Sequence, residues 1–221
     1  MYNKQLKQYK SVLFSPMVSL VYILVFCLFL FLQILCLRTD LSLDMFTSDI
    51  FAIANLPSYM GVFSNIGVLI WCSTAAVCFF SSVVLREINK EFSRFFLFAG
   101  FINLTLLLDD FFLFHDSLYS KVLHIPEIIT YVVYAAFVVI CIIKFKRILL
   151  KTEFITLLFA LGFFAISVAV DIIAVHFDFY GVIFFEDLSK LLGIISWCFY
   201  FMQTAFNQIY ILIGHKTQKI S

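Results

Sequence analysis

Residues 97–115 read LFAGFINLTLLLDDFFLFH, an apolar run broken by Asp109 and Asp110 and closed by His115. Crossing the hydrocarbon of a bilayer takes about 20 consecutive apolar residues. This run is that long, and the chain holds others like it. Six segments qualify: 14–37, 61–85, 95–114, 127–145, 154–175 and 188–213. Short polar breaks separate them, such as REINKEFSR and KFKRILLK. The expected fold class is therefore all-α, a polytopic transmembrane bundle of six spans. Residues 1–221 should form a single integral-membrane domain.

Composition agrees. The chain is 63% hydrophobic and 13% charged, with 30 Phe and a mean hydropathy of +1.06. Soluble domains average about half apolar and a quarter charged. A net charge of +1 argues against nucleic acid as a partner. Lys4, Lys7 and Lys10 before an apolar run resemble a signal peptide, but the run is too long for that and no small-x-small site follows. A retained first helix is expected, opening at Ser15-Pro16 because proline suits a first helical turn. The six cysteines lie in apolar runs without a CxxC pair, so they read as small hydrophobes.

Basic residues collect in cytoplasmic loops. Six spans put Lys4, Lys7, Lys10, Arg86, Lys90, Arg94, Lys144, Lys146, Arg147, Lys151, Lys216 and Lys219 on one side. Only Arg38, Lys121 and Lys190 fall on the other, twelve against three. Both termini are expected in the cytoplasm, and the size and simplicity of the chain suggest a bacterial inner membrane. Eleven of the fourteen acids, and His115, His124 and His176, lie on or toward the outer side. Topology rules do not explain that crowding, because acids contribute little to them. It marks either a solvated acidic surface or a site.

A second run matches the first. Residues 158–176 read LFALGFFAISVAVDIIAVH, also nineteen residues, also ending D-x4-H. Asp110 aligns with Asp171 and His115 with His176, and a glutamate opens each return helix, Glu127 and Glu186. Helices 3–4 and 5–6 thus read as a parallel repeat. Asp110 stands sixteen residues past Arg94 and Asp171 eighteen past Glu153, about 24 and 27 Å along their helices. Both belong to the outer part of a core roughly 30 Å thick. Their placement at helix C-termini is unfavourable for anions. A bound cation, shared protons, partner side chains or water must offset it, with Lys190 and Arg38 the available protein cations.

Carboxylates with imidazoles suit Zn, Mn or Fe. The expected metal ligands are Asp110, His115, Asp171, His176 and Glu127. Asp109 or Glu186 would accept a proton and Ser167 would donate to an oxyanion. Such a centre could make hydroxide near neutral pH and hydrolyse a lipid or lipid-linked substrate at the outer leaflet. The arrangement loosely resembles membrane hydrolases of the alkaline ceramidase type, seven-helix proteins with a histidine-rich metal site. Those carry an H-x3-H pair, which is missing here, so no residue is carried over. An oligomeric cation pore would use Asp109, Asp110 and Asp116 as a charged mouth. Alternating-access transport ranks lower, because Pro16, Pro57 and Pro126 sit at helix ends or loops and interrupt no helix. A membrane scaffold or partner subunit is the remaining class. There Trp197, Tyr200, Gln203 and Asn207 give the last helix a polar-aromatic side, turned either to the bundle interior or to a neighbour. Phosphate-loop, HExxH and GxSxG motifs are absent from the sequence.

Overall fold

The computed structural model describes residues 16–39, 42, 44–48, 50–57, 59–114, 119, 122–174 and 181–218. These residues contain eight helices and no strand. The chain divides into two compact units, residues 1–60 and 61–221. The first holds α1 (Pro16–Arg38), α2 (Asp44–Thr47) and α3 (Ile50–Ala54). The second holds α4 (Val62–Leu85), α5 (Lys90–Phe112), α6 (Glu127–Leu149), α7 (Phe154–Ala174) and α8 (Val182–Gln218).

Five helices are long and apolar enough to cross a membrane: α1, α4, α5, α6 and α7. The described part of α1 runs from Pro16, and none of its most apolar window is buried within the protein. Ser15, where the sequence places the start of this helix, lies outside the described residues. α8 is the longest helix, 37 residues or about 55 Å, but Glu186, Asp187, Lys190, Gln203 and Asn207 lower its hydropathy.

Helix ends depart from the apolar segments where capping chemistry prevails. α5 begins five residues before residue 95, because Asn89 accepts a hydrogen bond from the Phe92 amide at 3.3 Å and extends the helix through Lys90 and Glu91. It ends at Leu113, whose φ of 52° is left-handed, a conformation that costs an L-residue about 1–2 kcal/mol. α6 continues past residue 145 through Lys146 and Arg147, and Phe145 marks a kink at φ −113°, ψ 19°.

In the second unit, α4 packs on α5 and α8, α7 packs on α8, and α6 rests on α5. Small residues permit the close approaches. Ser82 and Ser93 donate to each other's carbonyl oxygens at 2.9 and 2.8 Å, joining α4 to α5 near their connection. The core is aromatic. The Trp71 ring stacks on Phe164 at 6.0 Å, Trp197 meets both edge-on at 6.4 and 6.2 Å, and Phe201 continues the seam to Phe95.

Gly193 lets α8 meet this seam, since a Cβ there would lie 2.7 Å from Phe164 Cδ1. Gly193→Ala must displace a ring held between two tryptophans, and is expected to destabilise the protein by about 1–3 kcal/mol. Gly162 has open space at the corresponding position. Gly162→Ala should stabilise by up to about 1 kcal/mol through helix propensity alone. Thermal unfolding of both variants in detergent measures the contrast.

Candidate functional site

The carboxylates of α5 and α7 stand near the C-terminal ends of their helices. A Cα–Cβ bond tilts toward the N-terminus of its helix. Asp109, Asp110 and Asp171 therefore lean back into the bundle, away from the loops. α4, α6 and α8 run the opposite way, so residues in their N-terminal halves lean toward those carboxylates. The sequence places donors at such positions: Trp71 on α4, Tyr131 and Tyr134 on α6, and Lys190 on α8.

Each meets an aspartate. Lys190 Nζ lies 2.7 Å from Asp110 Oδ1, and Trp71 Nε1 donates to Asp110 Oδ2 at 2.8 Å. The Asp110 side chain is 11% exposed and that of Lys190 37%. Tyr131 Oη donates to Asp171 Oδ2 at 3.0 Å. Asp109 is 4% exposed and lies within electrostatic reach of the Tyr134 phenol. Lys190 serves a further acid at the start of α8. That acid is Asp187, within electrostatic reach of the Lys190 ammonium.

This arrangement answers the electrostatic problem posed by acids at helix C-termini. The ammonium of Lys190 takes the place beside Asp110 that a bound cation would otherwise fill. A charge-assisted hydrogen bond of 2.7 Å is short and strong. Donors also arrive from helices whose N-terminal, positive dipole ends lie at this end of the bundle.

Asp110 and Asp171, aligned in the sequence repeat, take different partners on different helices. Ser167 is buried, one turn before Asp171 on α7, and Glu186 is half-buried on α8. His115, His176 and the Glu127 side chain lie outside the described residues, as does Asp116. Among the described residues, no group of three or more His, Cys, Asp or Glu is placed to hold a metal ion.

Sequence reasoning passed over Trp71, Tyr131 and Tyr134. Their signal was present: an indole or phenol inside an apolar span needs an acceptor when buried. Tyr131 and Tyr134 are three apart and so share a face of α6. The face assigned to the last helix divides. Trp197 and Tyr200 point inward, Trp197 Nε1 donating to Asn103 Oδ1 at 3.0 Å and the Tyr200 hydroxyl pairing with Thr152 at 2.9 Å. Gln203 and Asn207 are exposed.

No curated protein and no solved structure matches the chain. A family model matches residues 18–204, most of the length, and the chain belongs to that family, described as Domain of unknown function (DUF8692).

Proposed function

We propose that the chain is a six-span membrane protein, N-in and C-in, that serves as a scaffold or partner subunit held rigid by an internally neutralised polar layer. The observation that carries this reading is Asp110, both of whose oxygens accept from the protein, one from Lys190 and one from Trp71. Carboxylates satisfied in this way fasten helices to one another and leave little coordination for a catalytic ion. In a bilayer, where lipid tails are as apolar as leucine, such polar contacts and close packing supply the association of helices.

Two observations support α8 as the sixth span. A Cβ on Gly67 would stand 3.1 Å from Ile194 Cδ1, and Trp71 meets Trp197, so α8 runs beside α4, itself long and apolar enough to cross. The basic last turn of α6, with Lys146 and Arg147, supports a cytoplasmic position for that end. The parallel repeat gains support from spacing. Asp110 accepts from an aromatic donor 39 residues upstream on the preceding helix, and Asp171 from one 40 residues upstream.

The polar layer weighs against an oligomeric cation pore, since Asp110 is neutralised within the protomer and Asp109 is buried. Hydrolysis of a lipid is the second reading, and it shifts from a metal at Asp110 to Asp109. That carboxylate is buried beside Tyr134, which lines a hydrocarbon-facing cleft between α5 and α6.

One preparation separates these readings. Purified protein in detergent is assayed for Zn, Mn and Fe, for cation flux in liposomes and for turnover of added phospholipid. The scaffold reading expects less than about 0.1 metal ion per chain, no flux and no turnover. Near-stoichiometric metal that is lost in Asp110→Ala with Asp171→Ala would replace it with the metal-dependent enzyme. Lipid turnover abolished by Asp109→Asn would establish the second reading.

A further inference from the structure

α5 and α6 run in opposite directions, and the basic end of α6 lies beside the start of α5. The Phe145 ring meets Phe95 and Phe98 at 5.4 and 5.9 Å. α6 kinks at Phe145, yet Cys141, Phe145, Ile148 and Leu149 are all buried, so one face stays turned inward through the kink. Lys151 continues the last turn, its amide donating to the Ile148 carbonyl at 2.9 Å. Relative to the inward face, helical spacing puts Lys144, Arg147 and Lys151 together on one flank and Lys146 on the other. All four are exposed. The flank of three is the one beside α5, because the Lys144 ammonium lies over the Phe98 ring at 5.0 Å and over Phe145 at 5.5 Å. Arg94, exposed on α5, stands one turn before Phe98 on the same face. Lys144, Arg147, Lys151 and Arg94 thus gather where two helices meet.

The protein does not balance these charges itself. Lys144 stands seventeen residues past Glu127, about 26 Å along α6 and short of the far edge of a core roughly 30 Å thick. A topology signal needs no charge so deep, since Lys146, Arg147 and Lys151 follow it. The C-terminal dipole of α6 supplies about half an elementary negative charge against the full positive charges of this cluster. Glu91 and Glu153 are the acids nearest in sequence. Among the described residues, neither forms an ion pair with the cluster. Two aromatic rings hold the Lys144 ammonium on its protein side and leave its outer N–H donors for another acceptor. Ile143 and Leu150 border the cations and are 68% and 73% exposed. A ligand that suits this flank carries negative charge at the membrane surface and continues into hydrocarbon.

We propose that this flank binds the phosphate of an anionic membrane phospholipid, with Lys144 on its hydrocarbon side and Arg147, Lys151 and Arg94 around it. An arginine fork pairs with two phosphate oxygens, and a lysine acts as a point charge. Basic clusters at the end of a membrane helix attract anionic lipid, each residue contributing about fivefold in binding. A zwitterionic headgroup brings its own ammonium into the cluster and is disfavoured. The proposal goes beyond the scaffold reading and needs only that this end of α6 lies at a bilayer surface.

The full chain in mild detergent is titrated with palmitoyl-oleoyl-phosphatidylglycerol and with the matching phosphatidylcholine, and bound lipid is counted by native mass spectrometry. Wild type is expected to bind phosphatidylglycerol at least about tenfold more tightly. Lys144→Met with Arg147→Gln should abolish that preference and leave phosphatidylcholine binding unchanged. Lys146→Gln with Arg86→Gln removes the same charge from this end of the bundle but not from the flank, and should change the preference less than about twofold. Thermal unfolding confirms that each variant is folded. Should the first pair unfold, Arg147→Gln with Lys151→Gln takes its place. Equal binding of the two lipids by wild type would overturn the proposal. So would equal losses in both pairs, which would mean diffuse attraction without a site. Release of phosphatidylglycerol by excess inorganic phosphate at constant ionic strength would also overturn it, by assigning the cluster to a soluble phosphate.

Discussion

Lys190→Met is expected to destabilise the protein by about 2–3 kcal/mol. The substitution keeps the length and the apolar stem of the side chain and removes the charge. Among the described residues, Asp110 then keeps only the Trp71 indole as donor, in surroundings that leave its side chain 11% exposed in the wild type. Removing one partner of a fully buried pair costs about 3–5 kcal/mol. The estimate is lower here because the Lys190 side chain is 37% exposed and can be replaced in part by water or lipid headgroup. For a chain of this size, each kcal/mol corresponds to roughly 2–4 °C in Tm. A fall of about 4–12 °C in detergent is therefore expected. Lys144→Met is the control. That ammonium lies over the Phe98 and Phe145 rings at 5.0 and 5.5 Å and should cost about 1 kcal/mol or less.

Trp197→Ala is expected to have the largest effect of any single change in the core, about 3–5 kcal/mol. Trp197 is 4% exposed and meets the rings of Trp71, Phe164 and Phe201. Its indole also satisfies Asn103, which is fully buried and donates its own amide to the Ala99 carbonyl at 2.8 Å. Truncation opens a cavity among three aromatic rings and leaves the Asn103 oxygen without its donor. Trp197→Phe separates the two contributions. It keeps most of the ring contact and should cost about 1–3 kcal/mol, the desolvation penalty of one unpaired polar atom. Equal losses for Ala and Phe would mean that the hydrogen bond, and not the packing, dominates at this position.

Much of the fold is legible in the sequence because hydrophobic length is a direct physical requirement of a bilayer. The run at 61–85 coincides with α4 to within a residue, and the run at 154–175 begins where α7 begins. The ends of α5, α6 and α8 are less legible. They follow from the Asn89 cap, from a helix that continues through Lys146 and Arg147, and from charged turns that an apolar count discards. The site is legible in part. Depth and dipole arguments require Asp110 to be offset, and Lys190 is one of two cations that position alone offers. What spacing along one chain cannot convey is which helices are neighbours. Trp71 and Lys190 lie 39 and 80 residues from Asp110 and converge on it only because α4 and α8 both pack as they do around the Trp71–Trp197 contact. The sequence pairing of Asp110 with Asp171 likewise says that the helices are alike, and says nothing about whether their carboxylates share a ligand.

The central claim is that Asp110 is neutralised from within by Lys190. A double-mutant cycle measures that coupling directly, using Asp110→Leu, Lys190→Met and the two together, each followed by reversible unfolding in detergent. The internal pair predicts a coupling of about 1–3 kcal/mol, with the double variant more stable than Lys190→Met alone, since a matched apolar pair replaces a stranded carboxylate. Additive losses, with a coupling below about 0.3 kcal/mol, would contradict it and return the charge of Asp110 to some partner outside the chain.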